Sequence, residues 1–518
     1  MKTYRCKGTI TVFLSLISVL FLSLLCTTME SARIQGARAK AAAALDMGLF
    51  SVFGEFENRV LEQYDVFFLD GACGTGSYSQ KTLEEKLQTY MEYNVSPNKG
   101  ILLKGFDPYP LTLQKAGITG VALATDQKGN AFYQQAVGFM HDNLATEAVS
   151  AWLKRKEDAQ KLDSAGQDYQ NRQSSNAANL KSLQQQQKTL KKQEEEKRKE
   201  QEKTAEESGN LPMEVQPEKK EYPAEKNPLE TIKTIKKKGL LGLVLGEKKA
   251  SDKVLSSDVP SRRNCRKGNL EIKKKYAGLT DNLLFQEYLF ERFPCYTDSE
   301  VKDQVLNYGL EYILCGKNSD IKNLKSVVKR LLALREGANF LYLASDPAKK
   351  AEADSLAALI TGAIPVPGLQ VATSYALLLI WAYGESLLDL RSLLAGGKVP
   401  VWKSQTTWKL DLKKIPSLLE MLESPDTAAT EGLDYQGYLQ ILFTMGNTSS
   451  YSMRALDLIE GDIRKTTDNV KFRVDHAIVK MAAKAEYLIP PVFLRVTGAF
   501  LKTGRVKINY ETKGTFAY

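Results

Sequence analysis

Residues 8–29, GTITVFLSLISVLFLSLLCTTM, carry no charge and run straight into Glu30-Ser31-Ala32-Arg33. As a helix rising about 1.5 Å per residue, such a stretch spans the roughly 30 Å hydrocarbon layer of a bilayer. A cleaved signal peptide is the competing reading, but its apolar core is usually about 7–15 residues and ends at a small-x-small site. Here the run is longer, and Cys26-Thr27-Thr28-Met29 makes a poor cleavage site. The sequence therefore predicts a retained single-pass anchor. Lys2, Arg5 and Lys7 precede it and favour a cytoplasmic N-terminus, whereas Arg33, Arg38 and Lys40 pull the other way. The expected topology is a cytoplasmic tail at 1–7, a transmembrane helix at 8–29, and the bulk of the chain extracytoplasmic.

The 518 residues leave room for two or three domains. A formal charge of +10 favours anionic surroundings such as lipid headgroups or an anionic cell-wall polymer. Nucleic acid is not expected, because the basic residues are interleaved with glutamate and lack aromatic stacking partners. Outside the anchor lie Cys73, Cys265, Cys295 and Cys315, which could form two disulfides in any of three connectivities or stay as buried thiols. No pair has CxxC spacing, and His141 and His476 are the chain's two histidines, so neither a zinc site nor another metal or cofactor site is expected. Neither histidine lies beside an obvious nucleophile, and the sequence nominates no catalytic residue.

The expected fold class is α+β and predominantly helical. Residues 30–63 read as a stalk helix continuing the anchor, with Ile34, Ala41, Leu45, Leu49, Val52, Phe53, Phe56 and Val60 on one apolar stripe. Gly36, Gly48 and Gly54 are candidate bends; an unbroken rod would be about 80 Å long. Residues 64–153 read as α+β, with strands at Val66–Leu69 and Gly117–Thr125, a turn at Asp126–Gly129 and a helix from Ala131 to Trp152. Gly71-Ala72-Cys73-Gly74-Thr75-Gly76 lacks the Gly-Lys-Ser/Thr ending of a phosphate loop and reads as a flexible loop.

Residues 154–226 form a charged, low-complexity insertion, helical where Glu–Lys pairs support it and extended where prolines break it. Residues 227–518 read as a mainly helical part with C-terminal strands. Asn227-Pro228 starts a helix whose Lys233, Lys236, Lys237 and Lys238 read as a solvated face. Thr280–Leu343 is helical, with Val301, Val305, Leu310, Tyr312 and Ile313 on one of its helices. The long uncharged stretch 355–384 is split by Pro365-Val366-Pro367-Gly368 into arms too short to span a membrane, so it reads as a buried hairpin in a helical core, with a hairpin dipping into the membrane as the alternative. Glu385 and Asp389 follow, a pair that could associate only by sharing a proton. Late strands are expected at Val492–Thr497 and Arg505–Glu511.

Lys7-Gly8, an apolar segment and Glu30-x-x-Arg33 resemble the amino terminus of the TadE/TadG-type pseudopilins of the tight-adherence (Flp) pilus. In type IV-like pilins a peptidase cuts after the glycine, which would make Gly8-Thr9 a processing site; the fifth residue after Gly8 is Phe13, where those pilins carry glutamate. The resemblance makes Glu30 and Arg33 an assembly motif. It also implies that the late strands pack on the stalk. The stretches ITVFLSL, ESARIQGARA, YDVFFLDGACG, NPLETIKTIKKKGLLGLVL, LEYILCGKNSDIKNL, WAYGESLLDLRSLLAGGKVPVWKS and GLDYQGYLQILF are similar to an uncharacterised family of single-pass proteins of Gram-positive bacteria, a domain of unknown function. Together these readings imply a non-enzymatic, membrane-anchored structural or assembly protein. Its partners would be pilus-like proteins or a second copy joined through the N-terminal helix. An extracytoplasmic binding or sensing protein for anionic wall polymer or lipid is the alternative.

Overall fold

The computed structural model describes residues 8–95, 107–141, 147–207, 222–223, 226–246, 249–298, 304–362, 366–466, 469–493 and 508–518. In chain order its elements are α1 (Gly8–Phe53), α2 (Asn58–Tyr64), β1 (Leu69–Asp70), α3 (Gln80–Val95), β2 (Thr112–Leu123), α4 (Asp126–His141), α5 (Glu147–Glu207), α6 (Pro228–Lys237) and α7 (Leu240–Leu245). There follow α8 (Leu279–Arg292), α9 (Gly309–Cys315), α10 (Asp320–Ser345), α11 (Pro347–Thr361), α12 (Leu369–Leu394), α13 (Leu418–Glu423), α14 (Tyr435–Thr444), α15 (Thr448–Thr466), β3 (Ala477–Ile489) and β4 (Ile508–Ala517). Most of the described chain is helical, with one small antiparallel sheet. Two compact units are present: residues 1–142, 258–281 and 452–518 belong to unit 1, and residues 143–257 and 282–451 to unit 2. That division cuts across the boundaries expected at 153/154 and 226/227.

Unit 1 is built on α1. Its expected stripe is the buried one: Ala41, Leu45, Leu49, Val52 and Phe53 pack with Leu83, Leu87 and Met91 of α3 and Met481, Ala483, Ala485 and Tyr487 of β3. Gly36 and Gly48 are not bends. A β-carbon at Gly36 would lie 2.2 Å from the Tyr109 ring, and one at Gly48 2.6 Å from the Met91 side chain, so these glycines let neighbours close on a straight helix. The rod ends at Phe53, just before Gly54, and is about 70 Å long.

β3 is the central strand. It pairs antiparallel with β2 from Thr112↔Leu488 to Leu123↔Ile478, and on its other side with β1 at 477–478 and with β4 from Lys480↔Ala517 to Ile489↔Ile508. The late sheet thus packs on the stalk, as the pilin resemblance implied, and its central strand, β3, lies before Pro490-Pro491, where no strand was expected. Residues 494–497 of the first expected late strand and 505–507 of the second lie outside the described residues, and the rest of the second, 508–511, is in β4. The alternation is plain once the strand is known: Met481, Ala483, Ala485 and Tyr487 point inward, while Lys480, Lys484 and Glu486 stand between them. Alanine and lysine favour helix in isolation, and pairing on both sides overrides that preference. The early strand expected at Val66–Leu69 is shorter, Leu69–Asp70, and β2 begins earlier than expected, at Thr112. The turn at Asp126–Gly129 is present, with left-handed backbone at Gln127, Lys128 and Gly129.

Unit 2 is a helical bundle around α12. By length and composition α12, like α1, could cross a membrane, but 83% of its apolar window is buried within the unit, as in a core helix. The insertion expected at 154–226 is not wholly solvated. Trp152, Ala159, Leu162, Ala165 and Tyr169 of α5 are buried, and Gly337 of α10 lies so close that a β-carbon there would sit 2.4 Å from the backbone at Ala165 and Gly166. A periodic stripe of buried residues, large and small, runs through a polar composition. Past Gln187, whose amide donates to the Thr361 carbonyl at 2.7 Å, α5 is mainly exposed. The helix after Asn227-Pro228 starts as expected, with the Asn227 side chain accepting from the Leu229 amide. Lys236 reaches over the Tyr383 ring at 4.6 Å, so it is not simply a solvated lysine. Val305 precedes α9 rather than lying on it, and Val301 lies outside the described residues.

Candidate functional site

The sequence-predicted site residues all lie on α1. Gly8 opens the helix, exposed, with its carbonyl accepting from the Thr11 hydroxyl at 2.8 Å, and Thr9 follows on the same turn. From Gly8 to Met29 the side chains project outward: Phe13, Leu20 and Leu24 are each at least 60% exposed, and the most apolar window of the helix has no buried residue. Leaving that much apolar surface in water would cost about 25 cal/mol per Å². α1 is long and apolar enough to be a single membrane span.

Glu30 and Arg33 mark where this surface gives way to the buried half of the helix. They pair across one turn, and both are buried. Glu30 also accepts from the amides of Val492 (3.2 Å) and Phe493 (2.8 Å), and Arg33 donates to the Pro490 carbonyl at 2.7 Å. Burial alone would raise the Glu30 carboxyl, but Arg33 and the two amides outweigh it and hold it below its ordinary range. Expected as contacts for assembly, the two residues here spend their hydrogen bonds inside their own chain, clamping the turn after β3 to α1. Glu30→Gln should weaken that clamp by about 1–3 kcal/mol, since charge-assisted bonds to buried donors are lost. Hydrogen exchange at the Val492 and Phe493 amides should accelerate accordingly; unchanged protection there would show that the clamp is held by packing alone.

Elsewhere the polar groups are organised for structure. Asp70 accepts from the amides of Ala72 (2.9 Å) and Gly74 (2.7 Å), so a side chain of the chain itself occupies the cradle that the glycine-rich loop might have offered a phosphate. The loop is an ordered turn, with Cys73 and Gly74 at positive φ. Cys73, Cys265 and Cys295 are free thiols, so two disulfides do not form. Burial raises the Cys295 thiol to about 12, with nearby Glu311 adding to it, which disfavours the nucleophilic thiolate. Among the described residues no three His, Cys, Asp or Glu side chains gather as a metal site requires.

Glu385 and Asp389 do not share a proton. Lys403 reaches both, at 2.6 and 2.7 Å, and Arg335 donates to Asp389 from Nε (3.0 Å) and Nη2 (2.9 Å). Asn339 adds a bond at 3.0 Å, and all five side chains are buried. Burial opposes ionisation of Asp389, but Lys403 and Arg335 more than reverse this and hold its carboxyl well below the usual range. Lys403 and Arg335 lie 14 residues or more from the acids along the chain, so only the folded bundle brings these charges together.

No curated protein and no solved structure matches the chain. Residues 218–489, more than half of its length, match a family of unknown function (DUF5702), and the protein belongs to that family.

Proposed function

We propose that the protein is a membrane-anchored structural or assembly component of a surface structure, comparable in role to a TadE/TadG-type pilus accessory protein, and not an enzyme. In this reading α1 crosses the membrane once, its N-terminus is cytoplasmic, and both units are extracytoplasmic. One observation carries the reading. The exposed apolar turns at 8–29 belong to the same unbroken helix whose next six turns form the core of unit 1, so whatever holds the anchor holds that unit rigidly. Lipid gives no hydrophobic drive between helices, and lateral association must come from close packing. Gly8, Thr11, Ser15 and Ser18 share one face at three- and four-residue steps, which suits such packing.

The test is photocrosslinking in native membranes with a reactive side chain at Val19, Leu22 or Leu25, which lie on or beside that face. Adducts to a second copy or to a pilus-type component are expected. Recovery of monomer crosslinked to lipid alone at all three positions would overturn the assembly role while leaving the anchor intact.

A further inference from the structure

Unit 2 contains a cleft of about 610 Å³ that plays no part in anchoring. Four separate stretches of chain wall it: 249–253, Cys295–Asp298, Asn307-Tyr308, and Leu394–Gly396 at the end of α12. Its volume falls within the range of small-molecule sites.

Two buried carboxylates behind the lining set its shape. Asp320 accepts from the Ser251 hydroxyl (2.6 Å) and from the amides of Asn307 (3.0 Å) and Tyr308 (3.1 Å). The Tyr308 hydroxyl in turn accepts from the Ser251 amide at 2.8 Å, so two opposing stretches of wall are stapled together. Glu311 fixes a third by accepting from the Tyr296 amide at 2.9 Å and from the Tyr435 hydroxyl at 2.8 Å. A cleft held this way needs little ordering when a ligand enters.

The lining also says what kind of ligand fits. Lys253 donates to the Gln304 carbonyl (3.1 Å) and the Asn307 side-chain oxygen (2.7 Å), two bonds that fix its position while it keeps its charge. Lys249 at the rim is matched by Asp252, and Asp298 brings a second carboxylate. The last turn of α12 presents the negative end of a helix. The lining side chains thus carry no net charge, Lys249 and Lys253 against Asp252 and Asp298, and a phosphate or carboxylate finds no excess of positive charge there. Facing the ligand space are short polar groups, the Asn307 Nδ2 amide and the Thr297 hydroxyl (3.2 Å from Cys295 Sγ) among them, beside the rings of Tyr296 and Tyr308, set edge to face at 5.4 Å. Groups that both donate and accept, next to an aromatic wall, suit a ligand with many hydroxyls and an apolar C–H face.

We propose that this cleft binds a short, uncharged saccharide. The proposal is independent of the assembly role, and it differs from attraction of the basic chain to an anionic polymer. The experiment uses full-length protein in detergent micelles and two readouts, saturation-transfer NMR and calorimetry. The probes are glucose, galactose, mannose, N-acetylglucosamine and their disaccharides, with inorganic phosphate as the charged comparison. Saturable binding of at least one neutral sugar is expected, weakened about tenfold or more by Ala250→Trp, which fills the cleft from a position outside the hydrogen-bonded frame. Should that variant fail to fold, Asp252→Asn on the exposed rim is expected to weaken binding severalfold with thermal unfolding unchanged. No saturable binding of any neutral sugar, binding unaffected by the folded variants, or displacement of the sugar by phosphate would each overturn the proposal.

Discussion

Asp389→Ala should destabilise unit 2 by about 3–5 kcal/mol, the cost of leaving buried charge without its counterion. The wild-type cluster is balanced, with Arg335 and Lys403 facing Asp389 and Glu385, and its outer bonds are also satisfied. Arg335 Nη1 donates to the carbonyl of Val401 at 2.7 Å, and Glu385 accepts from the Leu410 amide at 2.8 Å. Removing Asp389 leaves two cations and one carboxylate in a site that water does not reach. Asp389→Asn should recover little, because it restores an acceptor but not the charge. The measurement is denaturant unfolding followed by tryptophan fluorescence. Trp152, Trp381, Trp402 and Trp408 all lie in unit 2, so the signal reports this unit alone. A change under about 1 kcal/mol would mean that the surroundings relax enough to hydrate the cluster.

Between pH 4.5 and 7 unit 2 should lose stability, opposite to the usual trend for carboxylates. Burial is the dominant cause that pushes both Glu311 and Glu336 up to about 7 from an ordinary value of 4.5. For Glu311 it outweighs the bonds from the Tyr296 amide and the Tyr435 hydroxyl, and the second carboxylate oxygen is buried with no hydrogen-bond partner. The sign follows from where the protons go. Below 4.5 both folded and unfolded chains hold them; between 4.5 and 7 the unfolded chain ionises while the folded one does not. Stability is thus full below the unfolded value and falls as pH rises through the folded one. The loss is about 1.4 kcal/mol for every pH unit separating the two values, or roughly 3 kcal/mol for each glutamate. Asp389 works in the other direction, but only below its ordinary value of 3.8. Urea midpoints at pH 5.0 and 7.5 test this, and Glu311→Gln should flatten the profile. A midpoint that rises with pH, or a slope that Glu311→Gln leaves unchanged, would show that Glu311 ionises inside the fold.

Periodicity made the first third of the molecule legible. The stripe from Ala41 to Phe53, the bend at Gly54 and the apolar run before Glu30 are local patterns, each readable from a few consecutive turns. So were the cap at Asn227 and membership of an uncharacterised family. What failed to show depends on partners far along the chain. The alanines of β3 signal a strand only beside β2 and β4, and Ala165-Gly166 on α5 signals a packed face only against Gly337. The charges that neutralise Glu385 and Asp389 come from separate elements. The saccharide cleft is the extreme case, since it draws its walls from four stretches and its frame from Asp320 and Glu311, none of which forms a motif in line. The Glu30-x-x-Arg33 pair was visible as a motif, but its engagement with residues 490–493 was not.

Unit 1 is interrupted in sequence by unit 2, and this sets an order of events at the ribosome. The greasy side of α1 emerges among the first residues, yet the strands that cover it, 477–489 and 508–517, are among the last. At about 5–20 residues per second the rod waits roughly 20–90 s for its cover. During that interval a holding factor or the bilayer surface must shield it, and a prematurely stopped chain would stay permanently bare on that side, a ready target for quality-control proteases.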